Sequence, residues 1–168
     1  MPYISCRICG CVEKILIINL KNFFKKNAFD LSLIEISHEK DVSPVDVQNV
    51  YISVGWQYRD IQDIEKSIKN SFLVTSAKYK NEIIGIARAT GDGVFNATIW
   101  DLAVKPEYQK KGVGSLLVQS MLEKLSDFDI PLVTLYTSYT KKCFYSKLGF
   151  SHNVSAVLGM FIKNRRYK

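Results

Sequence analysis

The sequence predicts a mixed α/β fold in which a mostly antiparallel sheet of six to seven strands carries helices on both faces. Three observations lead there. Runs rich in β-branched and aromatic residues alternate with segments of helical spacing in the order β, α, α, β, β, β, α, β, α, β, β. The consecutive strands in the middle are joined by short turn segments, as antiparallel neighbours are. Towards the end, strand, helix and strand succeed one another, which brings a parallel pair and a covering helix into the same sheet.

Taken in order, residues 1–30 form a basic, cysteine-containing extension and residues 31–168 the folded domain. Within the extension, Val12 to Phe24 is strongly apolar and is ringed by Lys14, Lys21, Lys25 and Lys26. It reads as a helix packed on the domain, or as a basic amphipathic helix resting on a membrane surface. Leu31 to Ser37 is the first strand. Ser43-Pro44 supplies an N-cap and a proline at the first helical position, and Val45 to Val54 carries apolar residues at helical spacing. Asp60 caps a second helix with Ile61, Ile64 and Ile68 along one face. Phe72 to Tyr79 and Glu82 to Thr90 form a hairpin about Lys80-Asn81, and Gly91-Asp92-Gly93 breaks the second run. Thr98 to Val104 is the next strand, stopped by Pro106. After Gly112 comes a helix with Val113, Leu116, Leu117, Met121 and Leu125 on one face. Pro131 to Tyr136 is a short strand. Thr140 caps a helix ending at Leu148, with Gly149 just past its end, and two β-like runs follow around Phe150 and Leu158 to Ile162.

A chain of 168 residues, 47% apolar and 23% charged, fits one domain with a sizeable core. Its formal charge of +7 suits anionic partners, but the 18 Lys far outnumber the 5 Arg. Arginine is the residue of choice for bidentate phosphate and base recognition, and no nucleic-acid motif is present, so no nucleic-acid partner is expected. The tail Lys163-Asn-Arg165-Arg166-Tyr-Lys168 reads as a solvated end. A Lys-, Ile- and Asn-rich composition also fits an AT-rich genome. No apolar run reaches the roughly 18 residues of a membrane span, and no secretory signal pattern opens the chain. Cys6, Cys9 and Cys11 cluster without a fourth ligand near them in sequence; Cys143, His38 and His152 stand elsewhere. Reduced thiols inside a cell are expected, and no metal.

One stretch points to chemistry. In "KPEYQKKGVGSLLV", from Lys105, a proline ends a strand, Gly112 and Gly114 free the backbone, and an apolar helix begins. The exposed N–H groups from Gln109 to Gly114, backed by the positive end of that helix, suit a pyrophosphate, with Lys110 and Lys111 beside it. Tight packing between strand and helix is the alternative role for such glycines.

That loop, together with the surrounding order, resembles the GNAT superfamily of N-acetyltransferases. The family's Q/R-x-x-G-x-G/A appears as Gln109-Lys-Lys-Gly112-Val-Gly114, preceded by "DLAVKPEY". Its aromatic-Tyr-x-x-x-Gly-Phe signature appears as Phe144-Tyr145-Ser-Lys-Leu-Gly149-Phe150. "IGIARATGDGVFNATIWDLAV", "VGW" at Val54 and "GMF" at Gly159 are similar to plastid acetyltransferases, the plant serotonin and lysine enzymes and an uncharacterised red-algal plastid-encoded group. The resemblance covers roughly residues 31 to 162.

It implies acetyl-CoA as acetyl donor. The loop from Gln109 through Lys110, Lys111, Gly112 and Val113 to Gly114 and Ser115 would hold its phosphates. Leu102, Ala103 and Val104, the edge of the fourth strand, would pair with its pantetheine and polarise the thioester. Strand alternation assigns Thr98, Trp100, Leu102 and Val104 to one face and Ile99, Asp101 and Ala103 to the other. Tyr145 would protonate the departing thiolate, or else hydrogen-bond the cofactor or pack beneath its helix. The base is open: Asp101, Asp92 and Glu82 are candidates, since Thr137-Ser138 stands where plant relatives carry an acidic residue. Trp56 and Arg59 would line the acceptor pocket, with Trp56 equally suited to anchoring the core. Cys143 has no His beside it in sequence, which favours direct transfer to a primary amine, arylalkylamine or protein lysine or N-terminus, in a ternary complex. A non-catalytic acetyl-CoA-sensing or protein-interaction module is the alternative. The resemblance further implies a plastid stroma location and a plastid gene, or otherwise a bacterial cytoplasm, and a capacity to form a homodimer.

Overall fold

A computed structural model describes residues 29–151. Five strands form one sheet in the order β1-β2-β3-β4-β5. They are β1 (Glu35–Ser37), β2 (Leu73–Tyr79), β3 (Glu82–Gly91), β4 (Asn96–Val104) and β5 (Leu132–Leu135). The first three pairings are antiparallel and β4–β5 is parallel. The helices are α1 (Pro44–Ser53), α2 (Ile61–Lys69), α3 (Val113–Asp127) and the short α4 (Lys142–Ser146). The sheet is mixed and mostly antiparallel, as expected. Its five strands fall short of six to seven because the last β-like runs begin at Phe150 and lie almost wholly outside the described residues. The cysteines at 6, 9 and 11 and the apolar segment from Val12 to Phe24 lie outside them as well.

Local chemistry explains most of the elements. The Ser43 hydroxyl accepts from the Asp46 N–H at the start of α1, with Pro44 in the first turn. The Asp60 carboxylate accepts from the Gln62 N–H at the start of α2. Lys80 and Asn81 both take left-handed backbone angles (φ 49° and 66°), the two-residue turn that matches the twist of a hairpin. In the next hairpin Asp92 Oδ1 accepts from the N–H groups of Val94, Phe95 and Asn96, which holds its carboxyl below the usual carboxylate range.

Two elements depart from expectation. Asp30 caps the Ser32 N–H, so Leu31–Leu33 coils into a 3-10 turn and the strand shrinks to Glu35–Ser37. A 3-10 turn at Tyr139–Lys141 likewise replaces the first turn of the expected helix from Thr140. The Thr140 hydroxyl bonds Ser138 Oγ at 2.9 Å, and the helix proper runs only from Lys142 to Ser146.

Helices cover both faces. On one, Val47, Val50 and Tyr51 of α1 and Ile64 and Ile68 of α2 pack on Val74, Ile83, Ile86 and Ala103. On the other, Val118, Met121 and Leu125 of α3 pack on Leu73, Ala87, Ala89, Ala97 and Ile99, while Val113 and Leu117 pack on Ala77, Ile84 and Val104. Among the described residues no helix is long and apolar enough to cross a membrane.

Candidate active site

On one side of β4 the pairing stops part-way along the strand. β4 pairs with β5 only from Asn96↔Leu132 to Ile99↔Leu135. On its other side β4 runs on beside β3, but Arg88 faces Trp100 and Ile86 faces Ala103, so three steps on β4 match two on β3. The extra residue is a bulge, and Asp101 within it takes φ 53°. A bulge bends its strand. Beyond it, no strand among the described residues pairs with β4 on the β5 side. The Lys105 N–H donates to the Ile84 carbonyl, which turns the polar groups of Val104 away from β3 and into this gap. Gln109 Nε2 donates to the Val104 carbonyl there at 2.8 Å.

The bulge also overturns the simple alternation. Ile99 packs under α3 with Leu102, and Val104 joins that face, whereas Ala103 packs under α1 and α2. Trp100, opposite Arg88, shares the α1–α2 side and donates its indole N–H to Thr90 Oγ1. One added residue shifts every face assignment before it relative to those after it.

The glycine loop lies beside the gap. A 3-10 turn at Pro106–Tyr108 leads to Gln109, Lys110 takes φ 57°, and Gly112 takes φ 92° as the N-cap of α3. A methyl group on Gly112 would come within 2.8 Å of Leu31 Cδ1. Gly114 differs: a methyl there would meet Phe144 at 3.5 Å and Val104 at 3.8 Å, ordinary contact distances. Val113 is buried and anchors the helix start, and Ser115 is half-buried. Lys111 is docked with Nζ 5.1 Å from the Phe29 ring and 5.9 Å from that of Tyr108. The first N–H groups of this 15-residue helix point out of its end, where its dipole is positive.

Tyr145 stands on α4, half-buried, with its ring 4.9 Å from Phe144 and 6.0 Å from Phe150. Burial pushes its phenol above the ordinary value, so the hydroxyl keeps its proton through neutral pH. Phe144 is the side chain that a methyl group on Gly114 would meet first, so α4 lies beside the start of α3. The gap, the loop and the tyrosine helix therefore adjoin one another.

On the opposite side of β4, the bulge carries a charged cluster. Asp101 Oδ2 accepts from Arg88 Nη2 at 2.6 Å, Arg88 Nε at 2.9 Å, Arg59 Nη1 at 3.2 Å and the Tyr51 hydroxyl at 3.4 Å. The Arg59 guanidinium lies over the rings of Tyr51 and Trp56, which are 4.9 Å apart. Burial and the Asp101 charge drive the Tyr51 phenol far above its ordinary value. Three residues singled out in the sequence, Trp56, Arg59 and Asp101, thus meet. Of the other candidate carboxylates, Glu82 pairs with Lys105, and Asp92 sits at the far end of β4, about 17 Å along the strand from the bulge. Sequence reasoning passed over Arg88 and Tyr51. The signal for Arg88 was there, a charge inside the otherwise apolar "IGIARAT" strand, since a buried charge needs a partner.

Residues 41–150 match the acetyltransferase (GNAT) family. The chain is 33% identical over 132 residues to the uncharacterised N-acetyltransferase ycf52 of Pyropia yezoensis, covering 76% of each chain. It is 32% identical over 141 residues to the chloroplastic GCN5-related N-acetyltransferase 2 of Arabidopsis thaliana, covering 72% of this chain and 55% of that one. A solved structure of a GNAT-family acetyltransferase from Streptococcus pneumoniae superposes with a TM-score of 0.67 at 30% identity, over 79% of this chain and 98% of that one.

Proposed function

Because this chain belongs to the acetyltransferase (GNAT) family and is an N-acetyltransferase, we propose that it moves the acetyl group of acetyl-CoA directly to a primary amine within a ternary complex. The observation that carries the reading is the gap beside β4, with the Val104 polar groups turned into it and the glycine loop next to it. An extended amide chain can hydrogen-bond to such an unpaired strand end. Phosphates fit the N-terminus of α3, where Gly114 leaves room that a methyl group could fill without touching the protein too closely.

In this reading the amine nitrogen attacks the thioester carbonyl, whose oxygen is met by an outward N–H of β4. The C–S bond then breaks and the thiolate takes the Tyr145 proton, which burial keeps on the phenol at neutral pH. Asp101 is committed at Oδ2 to two arginines and Glu82 to Lys105, so no side chain is assigned to deprotonating the amine, which enters as the free base; the surplus proton left on its nitrogen after attack passes through water and restores the Tyr145 phenol. Trp56 and Arg59 flank the acceptor, an arylalkylamine or a protein lysine or N-terminus. The chloroplastic relative favours a plastid location, in the stroma.

Calorimetric titration with acetyl-CoA, followed by thiol release with serotonin, tryptamine, spermidine, lysine and a lysine peptide, tests this. Binding with release on one amine class is expected and names the acceptor. Binding without release on any would favour a sensing module, and absence of binding would reduce the glycine loop to a packing turn.

A further inference from the structure

We infer that Asp101 is a positioning residue, whose ion pairs with Arg88 and Arg59 hold the β4 bulge and thereby keep the gap between β4 and β5 open. The inference rests on the reading that this gap receives the acetyl donor.

The bulge has no support of its own. Its residue adopts a left-handed angle that side chains with a Cβ disfavour, although Asp and Asn tolerate it better than most. Left alone, a non-glycine residue there would relax towards regular pairing with β3, and β4 would straighten past the end of β5. What opposes this comes from three separate elements. Arg88 on β3 faces the bulge directly and binds Asp101 Oδ2 through both Nε and Nη2. Its remaining nitrogen, Nη1, donates to the Ser67 carbonyl at 3.1 Å and to Ser71 Oγ at 2.8 Å, which ties it to the C-terminal end of α2. Arg59 comes from the segment between α1 and α2 and reaches the same oxygen while stacked on Tyr51 and Trp56. Tyr51 contributes its hydroxyl from α1.

Burial makes the arrangement demanding. The Arg88 and Asp101 side chains are only 12% and 13% exposed, so neither charge can be answered by bulk water if its partner is lost. The Asp101 carboxylate also answers two guanidiniums, and without it the buried Arg88 charge is left unopposed. Trp56 and Arg59, flanking the acceptor, are thus mechanically joined to the strand that faces the donor. A shift of either helix would be felt at the bulge.

A base and a positioning residue respond differently to substitution, and three variants separate them. Asp101→Asn keeps a residue suited to the left-handed angle and one oxygen acceptor. Asp101→Gly keeps the backbone freedom and removes the acceptor. Asp101→Ala removes both. With folding checked by Tm, Ala and Gly should each raise the Kd for acetyl-CoA about tenfold or more, while Asn, which keeps an oxygen acceptor but loses the charge, should raise it by less than Ala and keep the acid limb of the kcat/KM profile. Hydrogen exchange at the Leu102 to Val104 amides should quicken in Ala and Gly and to a smaller extent in Asn, a readout that needs no donor. Loss of about a hundredfold in kcat by Asn, with unchanged Kd and a vanished acid limb, would make Asp101 the base and overturn the inference. Full rescue by Gly, or unchanged exchange in Ala, would overturn it too. A wild-type protein that fails to bind acetyl-CoA would instead overturn the proposed donor site, and the exchange data would still judge the bulge.

Discussion

Tyr145 and Gln48 show how differently single residues enter this molecule. Tyr145 is half-buried among Phe144 and Phe150, and its phenol is displaced upward by that burial alone. Replacing it with Phe should lower kcat about a hundredfold or more, with acetyl-CoA affinity held within about threefold. A donor works only while protonated, so wild-type kcat should hold to a pH above the ordinary tyrosine value of about 10. Rapid-mixing thiol release across that range checks both, and a mutant as fast as wild type would remove the residue from the reaction. Gln48 is buried on α1, and neither its Nε2 nor its Oε1 has a hydrogen-bond partner among the described residues. Gln48→Met, similar in shape and apolar, should therefore stabilise the fold by about 1–2 kcal/mol in denaturant titration. A loss of stability would mean that the amide has a partner after all.

At the scale of elements, the two glycines that open α3 make separable demands. Gly112 needs its positive φ and has Leu31 against it, so Gly112→Ala should cost fold stability, about 1–2 kcal/mol from the backbone angle alone. Gly114→Ala meets its neighbours at ordinary contact distance, so its Tm should stay near wild type while the acetyl-CoA Kd rises. Parallel thermal and calorimetric measurements on the pair would reveal this crossing, and a Gly114 variant with native affinity would show that no ligand atom approaches there. The elements themselves were largely legible in the sequence. Ser43-Pro44 and Asp60 start helices because their side chains bond N–H groups two or three residues away, within the reach of local sequence. Where a local cap competes with the wider pattern, the structure departs from the sequence expectation. The Asp30 cap wound Leu31–Leu33 into a turn, and the segment after β5 tightened before α4 could begin.

For the molecule as a whole, each face of the sheet is joined to its helices by apolar packing, and on the α3 face a half-buried histidine adds to it. His38, just past β1, has Nδ1 3.0 Å from Thr75 Oγ1 of β2 and Nε2 3.0 Å from Ser120 Oγ of α3. Burial, assisted by Lys124, lowers its pKa, while Asp127, Glu123 and Glu39 partly offset this. The folded protein thus resists taking a proton that the unfolded chain accepts near pH 6.5, and stability must fall as pH drops through that value, levelling off below the folded-state pKa. Tm should be lower at pH 5.5 than at 7.5, and His38→Gln should flatten the slope between them; an unchanged slope in the variant would clear His38.

From sequence alone came the order of strands and helices, the glycine loop, the tyrosine helix and the family they resemble, because each is written in residues close together. The faces of β4 were decided only in three dimensions. A bulge is a mismatch between two strands, and the carboxylate that fills it finds its arginines 13 and 42 residues away. Periodicity along one strand carries no information about an extra residue relative to its neighbour. That is why the sequence offers Asp101 as a candidate base, while its pairing with Arg88 and Arg59 is visible only in the folded chain.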